Sequence, residues 1–184
     1  MGHMLVLGGA RSGKTGFAER LAMALGKFPA YLATAEAWDE EMEQRIARHR
    51  SDREDRFHTI EEPLELAEQL RASAPAHDVI LVDCVTLWIT NLIMAERNVA
   101  DAVDELIEAL DEITTSQIIF VSNEVGLGIV PDNAMARQFR DLAGTAHQRL
   151  AKVCETAVFV VAGLPMVLKG TLPPAGNDKR IHEA

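Results

Sequence analysis

The sequence predicts an α/β domain, a mostly parallel sheet with helices on both faces. Three observations carry this. Short apolar runs recur at Met4–Leu7, Ala30–Ala33, Val79–Val82, Ile118–Ser122 and Ala157–Val161. Amphipathic helical patterns lie between them, and such alternation is the mark of crossover-connected parallel strands. A glycine-rich turn stands where the first run gives way to the first helix.

That turn is Gly8-Gly9-Ala10-Arg11-Ser12-Gly13-Lys14-Thr15, a full G-x-x-x-x-G-K-[ST] phosphate loop. It follows Met4-Leu5-Val6-Leu7 and leads into a helix with Phe17, Leu21 and Leu25 on one face. Glycines let successive backbone N–H groups turn inward, and the helix N-terminus adds positive potential. Lys14 can reach the β and γ phosphates as a mobile point charge. The Thr15 hydroxyl can ligate Mg²⁺ arriving with the nucleotide. The motif indicates a nucleoside triphosphate and leaves open what is done with it.

The second run ends at Thr34. A polar helix is then expected from about Asp39 to Arg53, with Met42, Ile46 and His49 on one face. Arg45, Arg48, Arg50, Arg53 and Arg56 put five arginines in twelve positions of a chain with 18 Lys and Arg in all. Asp39, Glu40, Glu41 and Glu43 precede them, the order a helix dipole favours. Two readings stand: a charged surface helix with one partly buried histidine, or a helix offering arginines to phosphates and His49 as nucleophile or proton carrier. Glu61-Glu62-Pro63 reads as a helix start with Pro63 near the first turn, followed by the stripe Leu64, Ala67, Leu70.

Val79-Ile80-Leu81-Val82-Asp83 is an apolar strand ending in an acid, the Walker B pattern. Asp83 is then a Mg²⁺ partner beside the phosphate loop, the alternative being a turn or cap aspartate. With the loop, it makes the fold class a P-loop NTPase of the RecA-like kind. Cys84 is read as a small packed side chain. Two helices follow, split near Asn98: one with Leu87, Trp88, Asn91 and Leu92, one with Val103, Leu106, Leu110 and Ile113. The next strand opens into Ser122-Asn123-Glu124-Val125-Gly126-Leu127-Gly128-Ile129-Val130-Pro131. Its glycines and proline suggest a fixed, close-packed loop at the strand end where α/β sheets bind ligands, or a plain connector. The helix after it carries Arg137, Arg140, Asp141, His147 and Arg149. Gly163-Leu164-Pro165 followed by Met166-Val167-Leu168 suggests a hairpin with a last antiparallel strand at the sheet edge.

At 184 residues, 48% hydrophobic and 25% charged, the chain suits one soluble domain, expected over residues 4–170. Met1-Gly2-His3 reads as a tag scar and is given no weight in the fold. The stretch 171–184 reads as a flexible tail. A net charge of −10 argues against a general nucleic-acid or membrane-surface role. No apolar run spans a bilayer, and Cys84 and Cys154 lack metal spacing, which fits a cytoplasmic setting.

Taken together, several blocks resemble one family: the phosphate loop Gly8–Thr15, Tyr31-Leu32-Ala33-Thr34-Ala35, Arg45-Ile46-Ala47-Arg48-His49-Arg50, Thr59–Pro63, Asp83-Cys84-Val85-Thr86-Leu87-Trp88 with Thr90-Asn91-Leu92, Asn123–Gly126 through Ile129–Pro131, Phe139–Gly144 and Gly163–Pro165. It is similar to the bifunctional adenosylcobinamide kinase / adenosylcobinamide-phosphate guanylyltransferases, over Met4 to about Lys169. The resemblance implies phosphorylation of adenosylcobinamide by ATP or GTP, then transfer of GMP from GTP through a guanylylated histidine, matched here by His49. It also implies nucleotide contacts at Gly8, Gly9, Ala10, Arg11, Ser12, Gly13, Lys14, Thr15, Ala33, Thr34, Ala35, Arg50, Ser51, Asp52, Arg53, Glu61 and Asp83, with Lys14 catalytic beside His49. Thr15 and Asp83 are the implied Mg²⁺ positions, and a homotrimer with sites near subunit boundaries is implied. Two departures stand out: Asp83 where some relatives carry Glu, and His147 where the family pattern has Asn. A phosphate-loop kinase without guanylyl transfer, and a nucleotide-dependent regulatory module, are the competing readings; His49 chemistry and corrinoid turnover separate them.

Overall fold

The computed structural model describes residues 2–35 and 56–173. Seven strands form one sheet: β1 (Met4–Gly8), β2 (Ala30–Ala33), β3 (His58–Glu61), β4 (Val79–Asp83), β5 (Gln117–Asn123), β6 (Thr156–Val161) and β7 (Leu164–Lys169). Their order across the sheet is β3-β2-β4-β5-β1-β6-β7. All neighbours run parallel except β6 and β7. The described helices are α1 (Lys14–Leu25), α2 (Leu66–Ser73), α3 (Val85–Met94), α4 (Val99–Glu112) and α5 (Ala134–Val153).

The central strands read as unbroken apolar runs because both of their faces are covered. Alternate residues go to opposite cores. Ile80 and Val82 join Leu5, Ile118 and Phe120 under Trp88, Leu92, Leu106 and Leu150 of α3, α4 and α5, with Leu66 and Leu70 of α2. Val79 and Leu81 join Val6, Ile119 and Val121 against Phe17 and Leu21 of α1. The α/β expectation and the antiparallel edge strand are therefore borne out. So is the helix break near Asn98, whose side chain caps α4 by accepting from the Ala100 and Asp101 N–H groups.

One strand, β5, lies between the phosphate-loop strand β1 and the acid-bearing strand β4. That intervening strand is the RecA-like arrangement of the P-loop fold. Every parallel strand points its carboxyl end to the same edge, where such sheets bind ligands.

Four expectations are corrected. His58–Glu61 is a strand paired with β2 that was not among the expected runs, so Glu61 ends a strand instead of opening a helix, and α2 begins only at Leu66. The Glu62 carboxylate accepts from the Leu64 and Glu65 N–H groups at 2.9 Å each, so a tight turn occupies the place assigned to the first helical turn. Pro63 and Leu64 precede the helix. His3 does have weight in the fold: it is buried, its ring bonds to the Leu110 carbonyl at 3.2 Å, and it accepts from the Ile118 N–H at 3.1 Å. The segment after β7 is anchored at its start, with Leu172 buried in the α1-side core and the Thr156 hydroxyl donating to the Thr171 carbonyl.

The candidate nucleotide site

The site is built at the carboxyl edge. The chain leaves β1 at Gly8 and turns through the loop into α1. Gly13 sits at the helix N-cap with φ 90, the left-handed region that a side chain makes costly. Its missing Cβ also matters sterically, since one placed there would lie 3.2 Å from the Gly163 Cα. Gly8 is tighter still: a Cβ would meet the Ser12 Oγ at 2.5 Å and the Val160 carbonyl at 2.7 Å. The loop is braced from the β6–β7 turn, where the Gly163 N–H donates to the Ser12 carbonyl at 2.8 Å.

Lys14 is buried at the first position of α1, and its Nζ donates to the Gly9 carbonyl at 3.3 Å. The ammonium thus folds back over its own loop, at the place where the motif would seat phosphate oxygens. The Ser12 Oγ is buried without a hydrogen-bond partner among the described residues. A buried hydroxyl costs free energy until something bonds it. An anion-cradling loop with one unspent hydroxyl and a covered ammonium fits a polyphosphate.

Asp83 ends β4, half-buried, and the Tyr31 hydroxyl donates to its Oδ2. The Tyr31 ring is set edge-on against Phe57, with centroids 5.8 Å apart. Next to Asp83, the Thr34 hydroxyl donates to the Cys84 carbonyl at 2.8 Å and accepts from the Cys84 N–H at 2.9 Å. The Thr34 N–H donates to the Asp83 carbonyl at 3.1 Å. Asn91 of α3 completes the knot by donating from Nδ2 to the carbonyls of Thr34 and Pro63. The segment Ala33–Ala35 is thereby locked against the acid. Glu61 is level with Ala33 on the neighbouring strand, at the end of β3. Burial pushes the Cys84 thiol up to about 11, with the Asp83 charge adding to the shift. Cys84 stays a thiol at neutral pH and is a packing group, as expected.

The structure thus gathers Gly8–Thr15, Ala33–Ala35, Glu61 and Asp83 along one edge of the sheet. His49, Arg50, Ser51, Asp52 and Arg53 lie outside the described residues, as do Arg45, Arg48 and the rest of the expected polar helix. Arg56 is described and exposed. Three groups with roles at this edge were not assigned from motif reading. Tyr31 holds Asp83, and Gly163 braces the phosphate loop. Thr86 accepts from the Asn123 Nδ2 at 3.2 Å at the mouth of β5. Tyr31, Thr86, Asn123 and Gly163 all fall in the family-like blocks, which was the signal available.

The loop after β5 differs from expectation. It is fixed but not close-packed. The Glu124 carboxylate accepts from the Gly126 N–H at 2.8 Å and the Leu127 N–H at 3.1 Å. This inward use of the backbone leaves Leu127, Ile129 and Val130 facing out.

A family model described as cobinamide kinase / cobinamide phosphate guanyltransferase matches residues 4–168. The chain belongs to this family. The bifunctional adenosylcobalamin biosynthesis protein CobP from Pseudomonas aeruginosa is 50% identical over 168 residues, covering 90% of this chain and 96% of that protein. The bifunctional adenosylcobalamin biosynthesis protein CobU from Salmonella typhimurium is 37% identical over 183 residues, covering 90% of this chain and 99% of that one. Among solved structures, the P4 protein from bacteriophage phi6 in complex with ADP aligns with a TM-score of 0.49 at 16% identity, over 89% of this chain and 52% of that one. As a member of the cobinamide kinase / guanylyltransferase family, the chain is a bifunctional enzyme.

Proposed function

We propose that the chain phosphorylates adenosylcobinamide with ATP or GTP and then joins the product to GMP from GTP. The second reaction releases pyrophosphate and yields adenosylcobinamide-GDP. The observation that carries this reading is the gathering of the phosphate loop, Ala33–Ala35 and Asp83 at one sheet edge in a chain of this family.

In the first step the acceptor hydroxyl oxygen attacks the γ-phosphorus, the bond to the β-phosphate oxygen breaks, and the hydroxyl proton passes to solvent. Lys14 and the loop N–H groups hold the charge that grows on the departing phosphates. Thr15 and Asp83 offer two oxygen donors, and Mg²⁺ is usually held by one or two such groups plus substrate phosphates. The donor set fits, and the ion would neutralise phosphate charge there.

In the second reaction a neutral His49 imidazole nitrogen attacks the α-phosphorus of GTP. The bond to the β-phosphate oxygen breaks and pyrophosphate leaves. The P–N bond then breaks as a phosphate oxygen of adenosylcobinamide phosphate takes the GMP, and the imidazole is recovered. Arg45, Arg48, Arg50 and Arg53 are the cations assigned to the growing pyrophosphate charge. A homotrimer in the cytoplasm completes the reading. Exposed Leu164, Met166, Val167 and Leu168 on β7 support an edge covered by a second copy.

The test is incubation with GTP labelled in the α-phosphate. Acid-labile label is expected on the parent protein and none on His49→Ala. Label retained by that variant would move the nucleophile elsewhere, and an unlabelled parent would favour a simple kinase.

A further inference from the structure

We infer that the outward-facing apolar side chains of the loop after β5 form an open shelf for the corrin ring of the acceptor. The inference rests on the cobinamide reading above.

Leu127, Ile129 and Val130 are 81%, 98% and 59% exposed, and Met135 at the start of α5 is 62% exposed. Such side chains normally gather in a loose loop or a core. Here the frame beneath them is braced at both ends. Glu124 ties the backbone at Gly126 and Leu127. Arg137 donates from Nη1 to the carbonyls of Pro131 and Asp132 at 2.9 and 2.7 Å, and the Asn133 side chain caps α5 through the Ala136 N–H. The loop therefore holds its apolar side chains in water. Covering them removes apolar surface from water, which favours an apolar ligand.

Position selects the occupant. Asn123 pairs with Gly8, and the Glu124 N–H donates to the Gly8 carbonyl at 3.0 Å, so the shelf grows directly from the strand beside the phosphate loop. A γ-phosphoryl acceptor must approach at this edge. The acceptor named by the family is a cobinamide. A corrin macrocycle presents broad apolar faces and amide side chains at its rim. It is too wide for an enclosed pocket, and an open apolar surface with polar groups around it suits that chemistry. A nucleotide, small and highly charged, does not need one.

The experiment uses the full chain and the double variant Leu127→Ser/Ile129→Ser, with Ile129→Leu as the conservative control. Both altered positions are solvent-facing, so the fold is expected to hold, and a melting temperature close to the parent's checks this. The KM for cobinamide in the kinase reaction is expected to rise at least tenfold in the double variant and to stay near the parent value in Ile129→Leu. The Kd for GDP, measured by calorimetry, is expected to stay within twofold. An unchanged KM for cobinamide in the double variant overturns the shelf. So does a change in its oligomeric state by sedimentation velocity, which would assign the loop to a contact between copies. A parent that binds cobinamide through these residues without turning it over keeps the shelf and rejects the reaction. A parent that neither binds nor turns over cobinamide rejects both.

Discussion

His147 is the residue where chemistry and packing meet most sharply. It stands on α5, buried, with its Nε2 hydrogen-bonded to the Ser122 Oγ at 2.7 Å. Burial lowers its pKa, and the nearby Glu124 charge opposes the shift only in part. A histidine favoured neutral in the fold binds fewer protons than in the unfolded chain. Its contribution to stability is complete above the unfolded value near 6.5 and is lost as pH falls below it. His3, lowered chiefly by burial, works in the same direction. Urea unfolding at pH 7.5 and 5.5 should show the parent losing stability at the lower pH and His147→Asn losing less. An equal loss in both would mean that the ring does not carry the effect. The phosphate loop allows a second prediction at this scale. Lys14→Ala should lower kcat for phosphoryl transfer by about 10²–10³, the usual cost of removing a positioned electrostatic group. Its melting temperature should barely move, because Lys14 bonds only to its own loop among the contacts described.

At the scale of elements, α3 is the part that sets the far side of the site. Asn91 bonds the carbonyls of Thr34 and Pro63, while the Trp88 Nε1 donates to the Leu64 carbonyl at 2.8 Å. One helix thus fastens the ends of β2 and β3. Asn91→Ala leaves a buried carbonyl without its donor and should cost about 1–3 kcal/mol in denaturant unfolding. Nucleotide binding should weaken along with it, since Ala33–Ala35 is no longer pinned. Unchanged stability would show that the two strand ends are held by other means. The same elements explain what was legible beforehand. β1, β4 and β5 announced themselves because doubly buried strands are continuous apolar runs. The phosphate loop and Asp83 were legible because their chemistry admits few residue types. β3 was missed because it is a four-residue edge strand, His-Thr-Ile-Glu, with exposed ends and no apolar run. The helix start was misplaced because Glu62 uses its side chain to close a turn, which Glu-Pro spacing does not distinguish from a helix N-terminus. His3 was discounted because Met1-Gly2-His3 reads as a tag scar, and sequence carries no sign of a ring reaching a carbonyl more than a hundred positions away.

For the whole molecule, the parallel sheet turns scattered blocks of sequence into one working edge. β5 separates the phosphate loop from Asp83 by one strand and carries the loop assigned to the acceptor. The hairpin of β6 and β7 supports the phosphate loop from the other side. On the proposed reading, nucleotide and Mg²⁺ bind the folded chain at this edge and are thermodynamically linked to folding. GTP with Mg²⁺ at about 100 times its Kd should add about 2.7 kcal/mol of stability. Removing the ion with a chelator should reduce the gain, and Asp83→Asn should make it insensitive to the chelator. A gain equally sensitive in that variant would take Asp83 out of the metal site. In the proposed reaction GMP passes through the protein itself on its way from GTP to the corrinoid. The direct measurement is a chase: protein labelled from α-labelled GTP is freed of nucleotide and mixed with adenosylcobinamide phosphate. Label is expected to leave the protein and appear in adenosylcobinamide-GDP, while unphosphorylated adenosylcobinamide leaves it in place. Label that stays on the protein in the presence of the phosphate would contradict this route.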